Sequence, residues 1–222
     1  METRWACISW LAVLLTLVGC ASTPTIHDRP IGFSAARVDA TLRYIANHYG
    51  LHPEDISIVP RMIVLHWTAI DDLEESFAVF NPEMLGGSRP GLGGADEVNV
   101  SIQYLVDRDG TIYRLMPETW MARHVIGLNW SAIGVENVGG GGGVDNLTDA
   151  QIAADIRLVR YLVHRFPTIR YLIGHMEYRR FEGGPLWLEL DSDYRTDKID
   201  PGDRFMRAVR AGVSDLGLEG PP

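Results

Sequence analysis

Two histidines in this chain each follow a short apolar run. His66 comes after Ile63-Val64-Leu65, and His175 comes after Leu172-Ile173-Gly174. A strand in each place would hold the imidazole rigidly at its end. Two neutral imidazoles and one carboxylate make a three-ligand zinc site with an open fourth position. An ion in such a site makes water acidic near neutral pH. His124 is a third histidine beside an expected strand. His27, His48, His52 and His164 read as surface or core-edge residues. Spacing alone leaves metal binding open, because distant histidines converge only if the fold brings them together. Thiolate chemistry is excluded from the globular part, since Cys7 and Cys20 both precede it.

The elements that must position these groups follow from periodicity and punctuation. Ser34 to Tyr49 reads as a helix, with Val38, Leu42, Ile45 and Tyr49 at helical spacing and Gly50 at its stop. Arg61 to Trp67 is a buried strand. Asp71 to Phe80 is a second helix, in which Asp71 and Glu74 could form a capping box. Gly86 to Gly94 is a loop. Val98–Val106 and Thr111–Leu115 flank Asp107-Arg108-Asp109-Gly110, a hairpin signal. Ala132 to Val138 is a strand running into five glycines, Gly139 to Gly143, which read as a flexible lip. Thr148 to Phe166 is the clearest helix. Thr148 and Gln151 suit a capping box, and Ile152, Ile156, Val159, Val163 and Phe166 form its apolar stripe. A short strand from Tyr171 to Gly174 leads into His175. Residues 176–200 are irregular, and 203–212 form a terminal helix. Helices and strands alternate around one hairpin, so the expected class is α/β (α+β mixed sheet), a central mixed sheet flanked by helices.

The 222 residues are 46% apolar, enough for one packed domain. A formal charge of −9 with no basic run excludes a nucleic-acid binder. The start carries Arg4 and then an uncharged stretch from Trp5 to Gly19, too short for a transmembrane helix and typical of a secretory signal. Leu17-Val18-Gly19-Cys20 resembles a bacterial lipobox, which implies lipidation of Cys20 and a membrane partner through that lipid. Ala21 at the next position implies sorting to the outer membrane in a host with two membranes. The expected organisation is a lipoprotein signal over 1–19, a lipidated Cys and tether over 20–32, and a domain over 33–215.

Five segments carry a family resemblance. Val64-Leu65-His66-Trp67-Thr68-Ala69 resembles the first metal motif of the type-2 N-acetylmuramoyl-L-alanine amidases, relatives of phage lysozyme-type amidases and of peptidoglycan recognition proteins. Tyr104 to Tyr113 looks like the family's central hairpin, and Ser131-Ala132-Ile133-Gly134-Val135-Glu136-Asn137 like its "SIGIE" strand. Ile173-Gly174-His175 resembles the second metal motif, and Lys198-Ile199-Asp200-Pro201-Gly202 the closing "K-x-D-P-G". The five occur in family order over about 60 to 205.

The resemblance implies a Zn2+ cofactor held by His66, His175 and Asp200, with Asp197 the alternative third ligand. It implies a peptidoglycan or muropeptide substrate, cut at the amide between the lactyl group and L-alanine. Glu136 would serve as general base. A carboxylate on an apolar strand is costly unless it has a partner or a task. Lys198 lies two residues before Asp200, so on extended backbone the two share a face, and Lys198 could hold an oxyanion. Ala122-Arg123-His124-Val125-Ile126-Gly127 resembles an "A-W-H-A-G" loop, which implies that His124 lines the substrate groove. Three departures stand out. Arg123 replaces the Trp, Gln103 stands where many relatives have a histidine, and the gap from His175 to Asp200 holds an insertion with Trp187 and Tyr194 that could wall the groove. A monomer is expected. The alternatives are a binding module that keeps the groove without cutting, which a zinc assay distinguishes, and a zinc peptidase acting within the stem peptide, which product masses distinguish.

Overall fold

A computed structural model describes residues 23–85 and 98–222. The expected signal over 1–19, Cys20 and the Gly86–Gly94 loop lie outside the described residues. The sheet has six strands, β1 (Ile26–Asp28), β2 (Met62–Trp67), β3 (Tyr104–Val106), β4 (Ile112–Arg114), β5 (Ala132–Asn137) and β6 (Tyr171–Gly174), in the order β1-β4-β3-β5-β2-β6. Only β3 and β4 pair antiparallel; the other neighbours are parallel. The mixed sheet expected from the alternation is present.

Among the described residues four α-helices flank it: α1 (Ala35–Tyr49), α2 (Leu73–Phe80), α3 (Asp149–Arg165) and α4 (Asp203–Gly212). Local chemistry sets their ends. Ser34 caps α1 by accepting from the Ala36 amide, and Gly50 ends it at φ 64°, a left-handed geometry that glycine adopts without Cβ strain. Thr148 and Gln151 form the capping box of α3. The cap of α2 is displaced by one residue from the expected pair. Asp72 accepts from the Glu75 amide at 2.9 Å. Asp71 instead accepts from the Gly141 amide and the Asn146 side chain.

The central strands β2 and β5 are buried on both faces, which is why Met62 to Trp67 reads as a nearly continuous apolar sequence rather than as an alternation. Ile63, Leu65, Ile133, Val135 and Leu172 pack with Leu158, Leu162, Phe205 and Val209 of α3 and α4. Met62, Val64, Ala132 and Ile173 point the other way, into a cluster with Ala40, Tyr44 and Ile45 of α1. Because side chains alternate along a strand, His66, Gly134 and Glu136 lie on the α1 side.

Several expectations are corrected. Residues 98–103 do not extend β3. Their amides bond to loops instead, Asn99 to Glu83 and Ser101 to Arg123. The buried line of α3 is Gln151, Ala154, Asp155, Leu158, Val159 and Leu162, while Ile152, Ile156, Val163 and Phe166 flank it half-buried. The expected tether over 20–32 includes an ordered strand, β1, which pairs with β4. The glycine run is an ordered turn, not a loose lip. Gly140, Gly142 and Gly143 have φ between 67° and 79°, and Asp71 and Asn146 bind its amides. Among the described residues, no helix is long and apolar enough to cross a membrane.

Candidate active site

Register brings the first two reactive groups together. His66 of β2 is the Cα partner of Glu136 of β5. On the other side of β2, Leu65 pairs with Gly174, so the next residue, His175, emerges beside His66. Asp200 reaches the same place from the segment before α4, where its carbonyl accepts the Met176 amide at 2.8 Å. Three segments far apart in sequence thus meet at one end of the sheet.

The three side chains converge closely. His66 Nδ1 and His175 Nδ1 are 2.9 Å apart, and Asp200 Oδ2 lies 3.3 Å from the first and 3.0 Å from the second. All three residues are buried, and their ligand atoms lie within 4.8 Å of one another. Ligands roughly 2.0 Å from a tetrahedral zinc ion are about 3.3 Å apart, so the donor set fits zinc in both chemistry and span. No thiolate takes part, as the cysteine positions require. Asp197 is excluded as a ligand by position; it is exposed and pairs with Arg179.

Protonation states suit a cation. Burial, then the neighbouring His175, lowers His66 to about 4 against the opposing pull of Asp200. Its imidazole is therefore neutral at physiological pH, as a metal ligand must be. Burial would raise Asp200, but its contacts with His175 first and then His66, both hydrogen-bonded to it, outweigh burial and hold the carboxyl well below its usual range.

A cavity of about 400 Å³ opens over this cluster. Glu136, Lys198, His124, Arg123, Tyr44 and Tyr194 are among its lining residues. Burial first, then Asp200, pushes Glu136 well above the usual carboxylate range, with Lys198 pulling the other way. Its Oε2 is buried with no hydrogen-bond partner among the described residues. Lys198 and Asp200 both face the cavity while Ile199 between them is exposed, the alternation expected of extended backbone.

The insertion walls the cavity through Tyr194 and Thr196. It is fastened to α1 by a hydrogen bond between His48 Nδ1 and Glu189 Oε1 at 2.8 Å, and His48 is buried. Trp187 does not line the cavity. It lies over Gly127, where a Cβ would stand 2.7 Å from the indole. Arg123 donates to the Val98 carbonyl and to the Tyr194 hydroxyl, joining the loop to the wall.

The sequence marks Gln103 only as a departure and does not disclose its role, and it does not single out Asn137 or Asp155. Gln103 is buried; its Oε1 accepts the Gly134 amide at 2.7 Å and its Nε2 donates to the Trp120 carbonyl, so it locks β5 in place. Asn137 donates to the His66 carbonyl and to Asp155 Oδ2. Asp155 between the apolar Ala154 and Leu158 was a readable signal, because an acid on a core-facing stripe needs a partner.

Residues 57–203 match a family described as N-acetylmuramoyl-L-alanine amidase. Among solved structures, the selenomethionine derivative of AmpD is 22% identical with a TM-score of 0.53, covering 85% of this chain and 94% of its own. The endolysin N-acetylmuramoyl-L-alanine amidase LysCS from Clostridium intestinale URNW is 20% identical with a TM-score of 0.50, covering 90% of this chain and 99% of its own. At these identities the two structures show the fold. No curated protein matches the chain.

Proposed function

Because this chain belongs to the N-acetylmuramoyl-L-alanine amidase family, we propose that it hydrolyses the amide joining the lactyl group of muramic acid to L-alanine, with one zinc ion held by His66, His175 and Asp200. The observation that carries this reading is the convergence of three donor atoms from three distant segments at the floor of a cavity that Glu136 and Lys198 also line. When bound, zinc supplies Lewis acidity for the scissile carbonyl and acidity for the attacking water.

The chain's own residues supply the rest. Glu136 takes the proton of the attacking water and returns one to the departing amine of L-alanine. Its raised proton affinity suits both halves of that task. The ammonium of Lys198 stabilises negative charge developing on the carbonyl oxygen. The cavity wall built from Tyr44, Tyr194 and Thr196 binds the flanking substrate and keeps water out. The substrate is peptidoglycan or a muropeptide fragment of it, and the protein acts as a monomer.

Digestion of purified wall fragments with and without a chelator, read by product mass, tests this reading. Free stem peptides with an L-alanine amino terminus are expected only with metal present. Cleavage inside the stem peptide would instead mark a peptidase.

For location, we infer lipidation at Cys20 and attachment to the cell envelope, at the periplasmic face of the outer membrane in a host with two membranes. The Leu17-Val18-Gly19-Cys20 run supports this. Cys20→Ala protein should lose incorporation of labelled palmitate and leave the membrane fraction; unchanged labelling would refute it.

A further inference from the structure

His66 has two ring nitrogens, and the structure uses both. Its Nδ1 faces His175 and Asp200, while its Nε2 lies 3.0 Å from His124 Nδ1. One proton must lie between these last two nitrogens for them to approach so closely. We infer that His124 is a positioning residue whose Nδ1 accepts the Nε2–H of His66, fixing the tautomer that leaves His66 Nδ1 bare for the metal. This rests on the zinc reading above.

The proton count admits one arrangement with metal bound. A metal ligand nitrogen carries no proton, so neutral His66 must carry its proton on Nε2. That proton points at His124 Nδ1, which must then be the acceptor, and His124 carries its own proton on Nε2. The reverse arrangement would put the proton of His66 on Nδ1 and block coordination. Outer partners of this kind orient a ligating imidazole and raise its basicity.

Three features hold His124 in this role. Its backbone amide and that of Val125 both donate to Asn129 Oδ1, at 2.9 and 2.7 Å. Asn129 is fixed in turn by donating to the Tyr49 hydroxyl at 2.9 Å. Gly134 leaves room for the ring on the central strand, since a Cβ there would stand 2.8 Å from His124 Nδ1.

The test compares zinc dissociation constants, by chelator competition, for the full-length wild type, His124→Asn and His124→Leu. The Asn amide oxygen can stand where Nδ1 stands, whereas Leu fills the volume and accepts nothing. Affinity in H124L should fall roughly 10–100-fold, and H124N should stay near wild type. A packing role predicts the opposite order, with Leu tolerated better than Asn. Long-range proton–nitrogen NMR of the zinc-loaded wild type should place the His66 proton on Nε2. Equal affinities in all three proteins, or a His66 proton on Nδ1 with zinc bound, would overturn the inference. A wild type that takes up no zinc would overturn the metal assignment itself, a result readily told from the first.

Discussion

His66 and His175 bring their Nδ1 atoms within 2.9 Å although 109 positions separate them in the chain. Neutral imidazoles facing each other nitrogen to nitrogen gain little by themselves. Placed on β2 and just past the end of the neighbouring parallel strand β6, beside a carboxylate, they describe a cation site. The remaining site residues can be tested against that arrangement one at a time.

Glu136→Gln preserves shape and removes the proton carrier. Turnover should drop by roughly 10²–10⁴-fold, while zinc content stays at the wild-type level because Glu136 is not among the ligand atoms. Steady-state release of stem peptide together with metal analysis checks both parts. Normal turnover would remove Glu136 from the chemistry.

Lys198→Met keeps the aliphatic stem and deletes the charge. If the ammonium acts on the developing oxyanion, kcat should decrease on the order of 10²–10³-fold with little change in KM. An effect confined to KM would reassign Lys198 to ground-state binding.

Asp155 offers a pH test away from the metal. Burial raises its carboxyl from 3.8 to about 7, partly offset by the Asn137 hydrogen bond. The folded protein therefore holds a proton that the unfolded chain has already released. This stabilisation is complete below about 3.8 and is lost as pH rises to about 7. In Asp155→Asn an uncharged amide replaces the acid. Relative to wild type, the variant should gain Tm steadily between about pH 4 and 7 and hold that gain above it. A difference in Tm that does not vary with pH would contradict the protonated state.

Gly134→Ala pushes a methyl group into the His124 ring and the Ile102 side chain. Overpacking of this kind costs about 1–3 kcal/mol. Urea unfolding should register the loss. An unchanged midpoint would mean that His124 and Ile102 can move aside freely.

Much of this is legible in the amino-acid sequence. The apolar runs ending in His66 and His175, the Ser34 and Gly50 caps of α1 and the Thr148 box of α3 are local signals, and local chemistry decided them. The α2 cap failed by one residue because Asp71 and Asp72 are equally able acceptors, and only the distant glycine turn recruits Asp71. The strand character of Ile26–Asp28 depends on an open sheet edge that no local pattern discloses. The glycine run reads as loose in sequence because glycine permits many conformations, yet Trp67 beneath Gly140 and the bonds from Asp71 and Asn146 select one. His124 was placed near the substrate by resemblance. Its approach to His66 is a distance between a loop and a strand 58 residues apart, which only the packed structure supplies.

The most direct measurement is zinc-edge X-ray absorption on the purified protein, with total metal determined on the same sample. The account predicts one zinc per chain in a shell of two imidazole nitrogens with oxygen ligands, lost in His175→Ala. Protein without zinc, or zinc bound unchanged in that variant, would contradict it.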